Sequence, residues 1–153
     1  MEQLRQNLKI LISHRGNFEG PIPKLENTPE YIDNAISLGY QVEIDVWSID
    51  RVLFLGHDKP ISGITQDWLN KRAHLLWVHC KNIEAIEWFN SIGGFNYFWH
   101  QEDTVTLTSR NYIWAYPGKQ PIKGSIAVMP ELYKDDLTEC IGICSDYIKK
   151  YDF

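Results

Sequence analysis

Short apolar runs, each halting at a polar or titratable residue, recur along the chain. Residues 8–12 lead to Ser13 and His14, 52–55 lead through Gly56 to His57 and Asp58, 75–78 lead to His79, and 97–99 lead to His100. Two later runs, 126–129 and 141–144, lead through Pro130 to Glu131 and through Ser145 to Asp146. Residues 41–47 alternate instead, with Val42, Ile44 and Val46 on one face and Glu43 and Asp45 on the other, the period of a strand. Helical signals fill several gaps. Over 28–38, Thr28 is a cap, Pro29 takes the first helical position, Ile32, Ala35 and Ile36 form a stripe, and Gly39 stops the helix. Further helices are predicted over 65–71 and over 83–92, where Ile83, Ile86 and Phe89 share a face before Gly93 and Gly94. Strand, helix and strand in alternation predict an α/β fold with parallel strands. The second half departs from this rhythm: 104–109 and 112–116 read as extended, 117–124 as a Pro/Gly-punctuated loop, and 133–138 as one more short helix.

Composition narrows the class. With 44% hydrophobic and 23% charged residues the chain is an ordinary globular one, and 153 residues without repeat or linker suit a single domain over 1–153. A net charge of −5 argues against general nucleic-acid binding. No apolar run approaches the roughly 20 residues of a membrane span. Residues 8–12 are too short for a secretory core, so the chain reads as cytosolic. Cys80, Cys140 and Cys144 are odd in number and lack zinc spacing, which predicts reduced, buried thiols. Aromatic residues are 13%, and Trp47, Trp77, Trp99 and Trp114 each sit in a strand-like run, where core packing is the expected role for most and stacking on a sugar or alkyl leaving group the alternative for one at the rim.

Parallel strands deliver their C-terminal ends to one rim, where α/β proteins place their chemistry. His14, His57, His79 and His100 all lie at such ends. Each alone is equally a hydrogen-bonded loop histidine, but the same positions also gather Glu43, Asp45, Lys81 and Asp146. Glu43 and Asp45, two apart on a strand, share a face at roughly 7 Å backbone separation. On an inward face they repel unless a cation or a proton relieves them, so a divalent metal is the economical reading; an exposed edge strand is the alternative. His79 and Lys81 repeat the spacing, although Lys81 beyond the strand end fits equally well. With Arg15 as a second cation, the set points to a phosphoryl group, neutralised by Arg15, Lys81 and metal, with proton transfers by His14 and His57.

Ser13-His14-Arg15-Gly16, Glu26-Asn27-Thr28, Glu43-Ile44-Asp45-Val46 and Gly56-His57-Asp58 follow one another in an order that resembles the motifs of the glycerophosphodiester phosphodiesterase family of phospholipase-C-like TIM barrels. The likeness covers residues 8–58. It thins afterwards: 78–81 resembles an acidic-x-Lys motif, and 142–147 resembles a final-strand Thr-Asp motif with Ser145 in place of Thr. The resemblance implies metal-assisted cleavage of a glycerophosphodiester, in lipid metabolism, to glycerol 3-phosphate and an alcohol. By position, His14 would be the general base and His57 the general acid; Glu43 and Asp45 would hold the cation. Arg15 and Lys81 would contact phosphate, and Glu26 would orient the His14/Arg15 corner. The family implies Mg2+ or Ca2+. His79, however, stands where the family supplies a third acidic ligand, and imidazole leaves Mn2+ or Zn2+ open. A cation held more loosely through water and a lost metal site are the other readings. His100, with Gln101, Glu102 and Asp103, lines the substrate pocket or begins a solvated loop. A non-catalytic phosphodiester-binding barrel and a metal-independent lyase are the competing functions.

A full eight-fold barrel takes about 250 residues. The expectation is therefore a TIM-type (β/α) barrel, abridged, with helices reduced in the second half. Bare outer faces there would invite a partner subunit, and with it a homo-oligomer.

Overall fold

A computed structural model describes residues 10–153. Residues 8 and 9 of the first predicted run, and the segment before them, lie outside the described residues. The strands are β1 Ile10–His14, β2 Gln41–Ile49, β3 Val52–Leu55, β4 Ser62–Ile64, β5 Leu76–Cys80, β6 Asn96–Phe98, β7 Val105–Leu107, β8 Ile113–Ala115, β9 Ser125–Val128 and β10 Gly142–Ser145. The helices are α1 Pro29–Ser37, α2 Gln66–Asn70 and α3 Ile83–Ile92. Thr28, Thr65 and Asn82 cap them, each side-chain oxygen accepting from a backbone N–H in the first turn. Among the described residues no helix is long and apolar enough to cross a membrane.

The strands β6, β5, β2, β1, β10, β9 and β8 pair in that order, all parallel. Opposite β5, the first half of β2 pairs with β1 and its second half pairs antiparallel with β3, which folds back again into β4. At the other end β7 runs antiparallel to β8. The sheet curls until Phe98 of β6 and Trp114 of β8 stand 4.8 Å apart, ring to ring. No ladder joins β6 to β7; Ser109 N donates to Tyr97 O at 2.8 Å and Thr106 Oγ1 to Trp99 O at 3.1 Å across the gap.

This overturns the expected abridged (β/α) barrel: the fold is a curled, mixed 10-stranded sheet, a half-barrel with three short helices among the described residues. The reason lies in two connections. Asp50 and Arg51 both take left-handed backbone, at φ 50° and 67°, the geometry of a two-residue hairpin turn. Residues 52–55 are therefore an antiparallel return of β2 rather than a new parallel strand. Residues 104–116 likewise close into the β7–β8 hairpin. The helix expected over 133–138 does not form; a 3-10 turn at Pro130–Leu132 precedes it and Lys134 is left-handed.

Two apolar layers flank β2. Val42, Ile44 and Val46 face α1 and α3, with Ile32, Ala35 and Phe89 fully buried against them. The concave face carries Ile12, Trp77, Phe98, Trp114, Ile126 and Cys144. Beyond it, Tyr40, Ile148 and Tyr151 cover the outer side of Ile143 and Ala127. Along the concave face β1, β5 and β10 turn polar toward their C-terminal ends: Ile12 precedes His14, Trp77 precedes His79, and Cys144 precedes Asp146. All three cysteines are unpaired and buried.

Gly142 sets how closely β10 approaches its neighbours, because a Cβ there would lie 2.8 Å from Ile10 Cβ, Ile10 O and Ile126 Cδ1. Gly142→Ala is expected to cost about 1–3 kcal/mol by overpacking, read as a lower urea midpoint; an unchanged midpoint would show slack in the sheet.

Candidate active site

The corner after β1 is built by a tight turn. Ser13 Oγ donates to Asn17 O at 2.7 Å, Arg15 is left-handed at φ 59°, and Gly16 at φ 96° leaves no room for a Cβ, which would fall 2.6 Å from Tyr31 Cδ2. The turn folds Arg15 over β2: its backbone N donates to Glu43 O at 2.9 Å and its Nη1 to Glu26 Oε1 at 3.2 Å. Arg15 Nε lies 3.2 Å from Asp45 Oδ2, an ion pair not aligned as a hydrogen bond. Asn27, also left-handed, locks the acid from behind: its Nδ2 donates to Asp45 Oδ2 at 2.9 Å, and Asp45 N donates to Asn27 Oδ1 at 3.1 Å.

Glu43 and Asp45 both point into the curl, 2% and 0% exposed. Their environments differ. Burial and the charge of Asp45 push the Glu43 carboxyl up. Burial works the same way on Asp45, but His79 and Arg15 outweigh it and hold Asp45 down. Among the described residues Glu43 Oε1 and Asp45 Oδ1 have no hydrogen-bond partner. His79 faces both: Nδ1 is 3.2 Å from Asp45 Oδ1 and 3.8 Å from Glu43 Oε2. Its Nε2 lies 2.9 Å from the His100 carbonyl, which can only accept, so Nε2 carries the proton. Nδ1 faces the two carboxylates, an arrangement that a proton or a cation between them stabilises. Ligand atoms of Glu43, Asp45 and His79 lie within 4.8 Å of one another. The residues fit a divalent cation, and one imidazole among the donors moves the preference toward Mn2+ or Zn2+.

The histidines differ in support. His14 Nδ1 lies 2.7 Å from Asp146 Oδ1, which also accepts from Asn17 Nδ2 at 2.9 Å, while His14 Nε2 faces Glu43 Oε1 at 3.9 Å. Burial acts to lower the His14 pKa, but the Asp146 bond and the Glu43 charge outweigh it and the net shift is upward. Asp146 moves the other way, its burial outweighed by His14. His57 sits on the loop after β3, partly exposed, with Nδ1 2.8 Å from the exposed Asp58. Burial and Arg15 lower its pKa. The loop is fixed at Gly56, where a Cβ would strike Lys59 O at 1.9 Å.

A cleft of about 730 Å³ collects His14, Arg15, Glu43, His57, His79 and Lys81 at one end, and His100 also lines it. No ion pair among the described residues reaches Lys81. Asp45 stands behind Glu43 and His79; Glu26 stands behind Arg15, in an adjoining cavity that shares Arg15 and His57. Sequence reasoning assigned no role to Asn17, whose only signal was an Asn in a turn-forming context, and none to Asn27 beyond its place in the Glu26-Asn27-Thr28 motif. Nor did it give Met129, Leu132 or Tyr133 a place in the cleft wall. Comparison of the chain with family models, with curated proteins and with solved structures finds no match.

In a metal-free NMR titration His14 is expected to titrate above the ordinary 6.5 and His57 below it. In Asp146→Asn the His14 midpoint should fall, since the carboxylate that favours its imidazolium is gone; an unmoved midpoint would rule out that support.

Proposed function

We propose that the protein is a metal-assisted phosphodiesterase acting on a glycerophosphodiester or a related sugar phosphodiester. The observation that carries the reading is the convergence of His14, His57, Arg15 and Lys81 on the cleft lined by Glu43 and His79, with Asp45 behind them, where Glu43 Oε1 and Asp45 Oδ1 have no hydrogen-bond partner among the described residues. The motif order in residues 8–58 supports the same reaction class. Arg15 and Lys81 are the phosphate-binding cations; among the described residues no ion pair reaches Lys81, and Arg15 is held in place by Glu26 and Asp45. A divalent cation bound by Glu43, Asp45 and His79 would supply Lewis-acid stabilisation of charge on the phosphoryl oxygens.

His14, with Nδ1–H held by Asp146, keeps Nε2 free to take the proton of the attacking hydroxyl, and Asp146 then stabilises the imidazolium. His57, with Nδ1 on Asp58, offers Nε2 to protonate the leaving alkoxide as its bond to phosphorus breaks. The upward shift makes His14 the stronger base, and the downward shift makes His57 the stronger acid.

His14→Ala and His57→Ala are each expected to lower kcat/KM by about 10²–10⁴-fold, measured by phosphorus NMR on glycerophosphodiesters, and chelator should abolish turnover by the parent. Full activity in both variants would overturn the roles; binding without turnover across a panel of divalent metals would make the protein a binding module instead.

His79→Asp should shift activation from Mn2+ or Zn2+ toward Mg2+ or Ca2+, because the donor set becomes all oxygen. An unchanged metal profile would remove His79 from the ligand set.

A further inference from the structure

The cleft is two-faced. Its cationic and acidic end comes from β1, β2 and β5, whereas the opposite wall comes from β8 and β9 and the residues that follow them. That wall holds Trp114, Tyr116, Val128, Met129, Leu132 and Tyr133. An aromatic floor joins the two ends: the His79 ring stacks on Phe98 at 5.1 Å, and Phe98 meets Trp114 at 4.8 Å.

Three features mark this wall as built for a ligand rather than left over from folding. First, Leu132 and Tyr133 are 61% and 68% exposed at the cleft, a local cost in water that an apolar ligand would relieve. Second, Met129 sits in left-handed backbone at φ 46°, an unfavourable conformation for an unbranched side chain. It is held there by its N donating to Cys144 O at 2.7 Å and by Asp146 N donating to Met129 Sδ at 3.4 Å. The strained turn at Met129 redirects the chain so that Leu132 and Tyr133 reach the cleft. Third, His100 is only 8% exposed, yet neither ring nitrogen has a partner among the described residues; its ring meets Tyr116 edge-on at 4.8 Å. A buried imidazole without partners, lining a cleft, is suited to the single polar group of an otherwise apolar ligand.

Size agrees. A volume of about 730 Å³ falls in the roughly 300–1,000 Å³ range of sites that enclose drug-sized molecules, well beyond the need of a phosphate and its ligating groups. A glycerol or other polyol arm would leave the apolar wall wet. We infer that, given a phosphodiesterase at the polar end, the substrate is amphiphilic: a phosphodiester whose second arm is an alkyl or aryl alcohol lying on Trp114, Met129, Leu132 and Tyr133.

The test uses a matched pair, glycerophospho-octanol and glycerophosphoglycerol, which share glycerol phosphate and differ only in the second arm. Binding is measured by calorimetry on phosphonate analogues of both, which lack the scissile P–O bond, and turnover by phosphorus NMR on the diesters. The octyl compound should bind about tenfold or more tightly, the discrimination a few methylenes give in an apolar pocket. Leu132→Asp with Tyr133→Ser, both at exposed positions, should bring the two affinities together, with circular dichroism reporting that the fold is kept. Equal affinities in the parent, or a preference that survives the double substitution, overturns the apolar subsite. An octyl preference with neither diester cleaved supports the subsite and overturns the hydrolase reading. Cleavage of both diesters at equal rate and with equal affinity does the reverse.

Discussion

Two carboxylates on one face of one strand, both withdrawn from water, are the constraint that the rest of the site answers. Burying an ion costs several kcal/mol even after relaxation, and Glu43 and Asp45 add their mutual repulsion to it. The fold meets this unequally. Asp45 receives Arg15, the reciprocal bonds of Asn27 and the approach of His79, and it is held ionised. Glu43 receives only the more distant His14 and His79, at 3.9 Å and 3.8 Å, and its carboxyl is pushed up. One acid is thus held toward its charged form and the other toward its protonated form, an asymmetry that a proton or a cation beside Glu43 would relieve.

That arrangement depends on parallel strands ending together. On the concave face, β1, β5 and β10 each carry an apolar residue and then, two positions on, a polar one; β1 and β10 change at the same register, Ile12 beside Cys144, and β5 changes one step later, so that Trp77 lies beside Glu43 and His79 beside Asp45. The turns that exploit this change are strained. Arg15, Asn27 and Met129, all non-glycine residues with positive φ, lie around the cleft or directly behind it. Strain of this kind persists where surrounding contacts over-determine it, and here each residue is pinned by backbone bonds: Arg15 to Glu43, Asn27 to Arg15, Met129 to Cys144.

Much of this was legible in the sequence, because burial and period speak directly. The alternation at 41–47 put Glu43 and Asp45 on one face, the cap at Thr28 announced α1 and the pattern over 65–71 announced α2, and polar residues after apolar runs marked strand ends. Chain reversals were not legible. A hairpin turn made from Asp50 and Arg51 carries none of the usual Asn-Gly signature, so β3 looked like another parallel strand and the count of strands suggested a (β/α) barrel. The extended segments at 104–109 and 112–116 were legible as such, whereas their closing into the antiparallel β7–β8 hairpin was not. Residues 133–138 have helical composition, but the left-handed Lys134 and the preceding Pro130 turn divert them to the cleft wall. Asn27 stood within a recognised motif, yet its work as a clamp on Asp45 is a tertiary fact.

A half-barrel is sufficient for such a site because the chemistry draws on few strands. Histidines, cations and acids come from β1, β2, β5 and the loop after β3, and their outer support is concentrated where α1 and α3 pack against β2. The other strands need to do less. Their outer face is closed by Tyr40, Ile148 and Tyr151 instead of helices, and their inner face supplies mainly aromatic and apolar wall, with Asp146 after β10 and His100 after β6 as the titratable exceptions. Helices omitted from this half therefore remove bulk without removing a site residue. The curl, more than any helix, completes the cleft, since it brings Trp114 against Phe98 and Trp77 and so sets the apolar wall opposite His79. A flat sheet of the same strands would present the same polar residues with no wall to exclude water, and without that exclusion the electrostatic interactions of the acid pair and its cations would weaken.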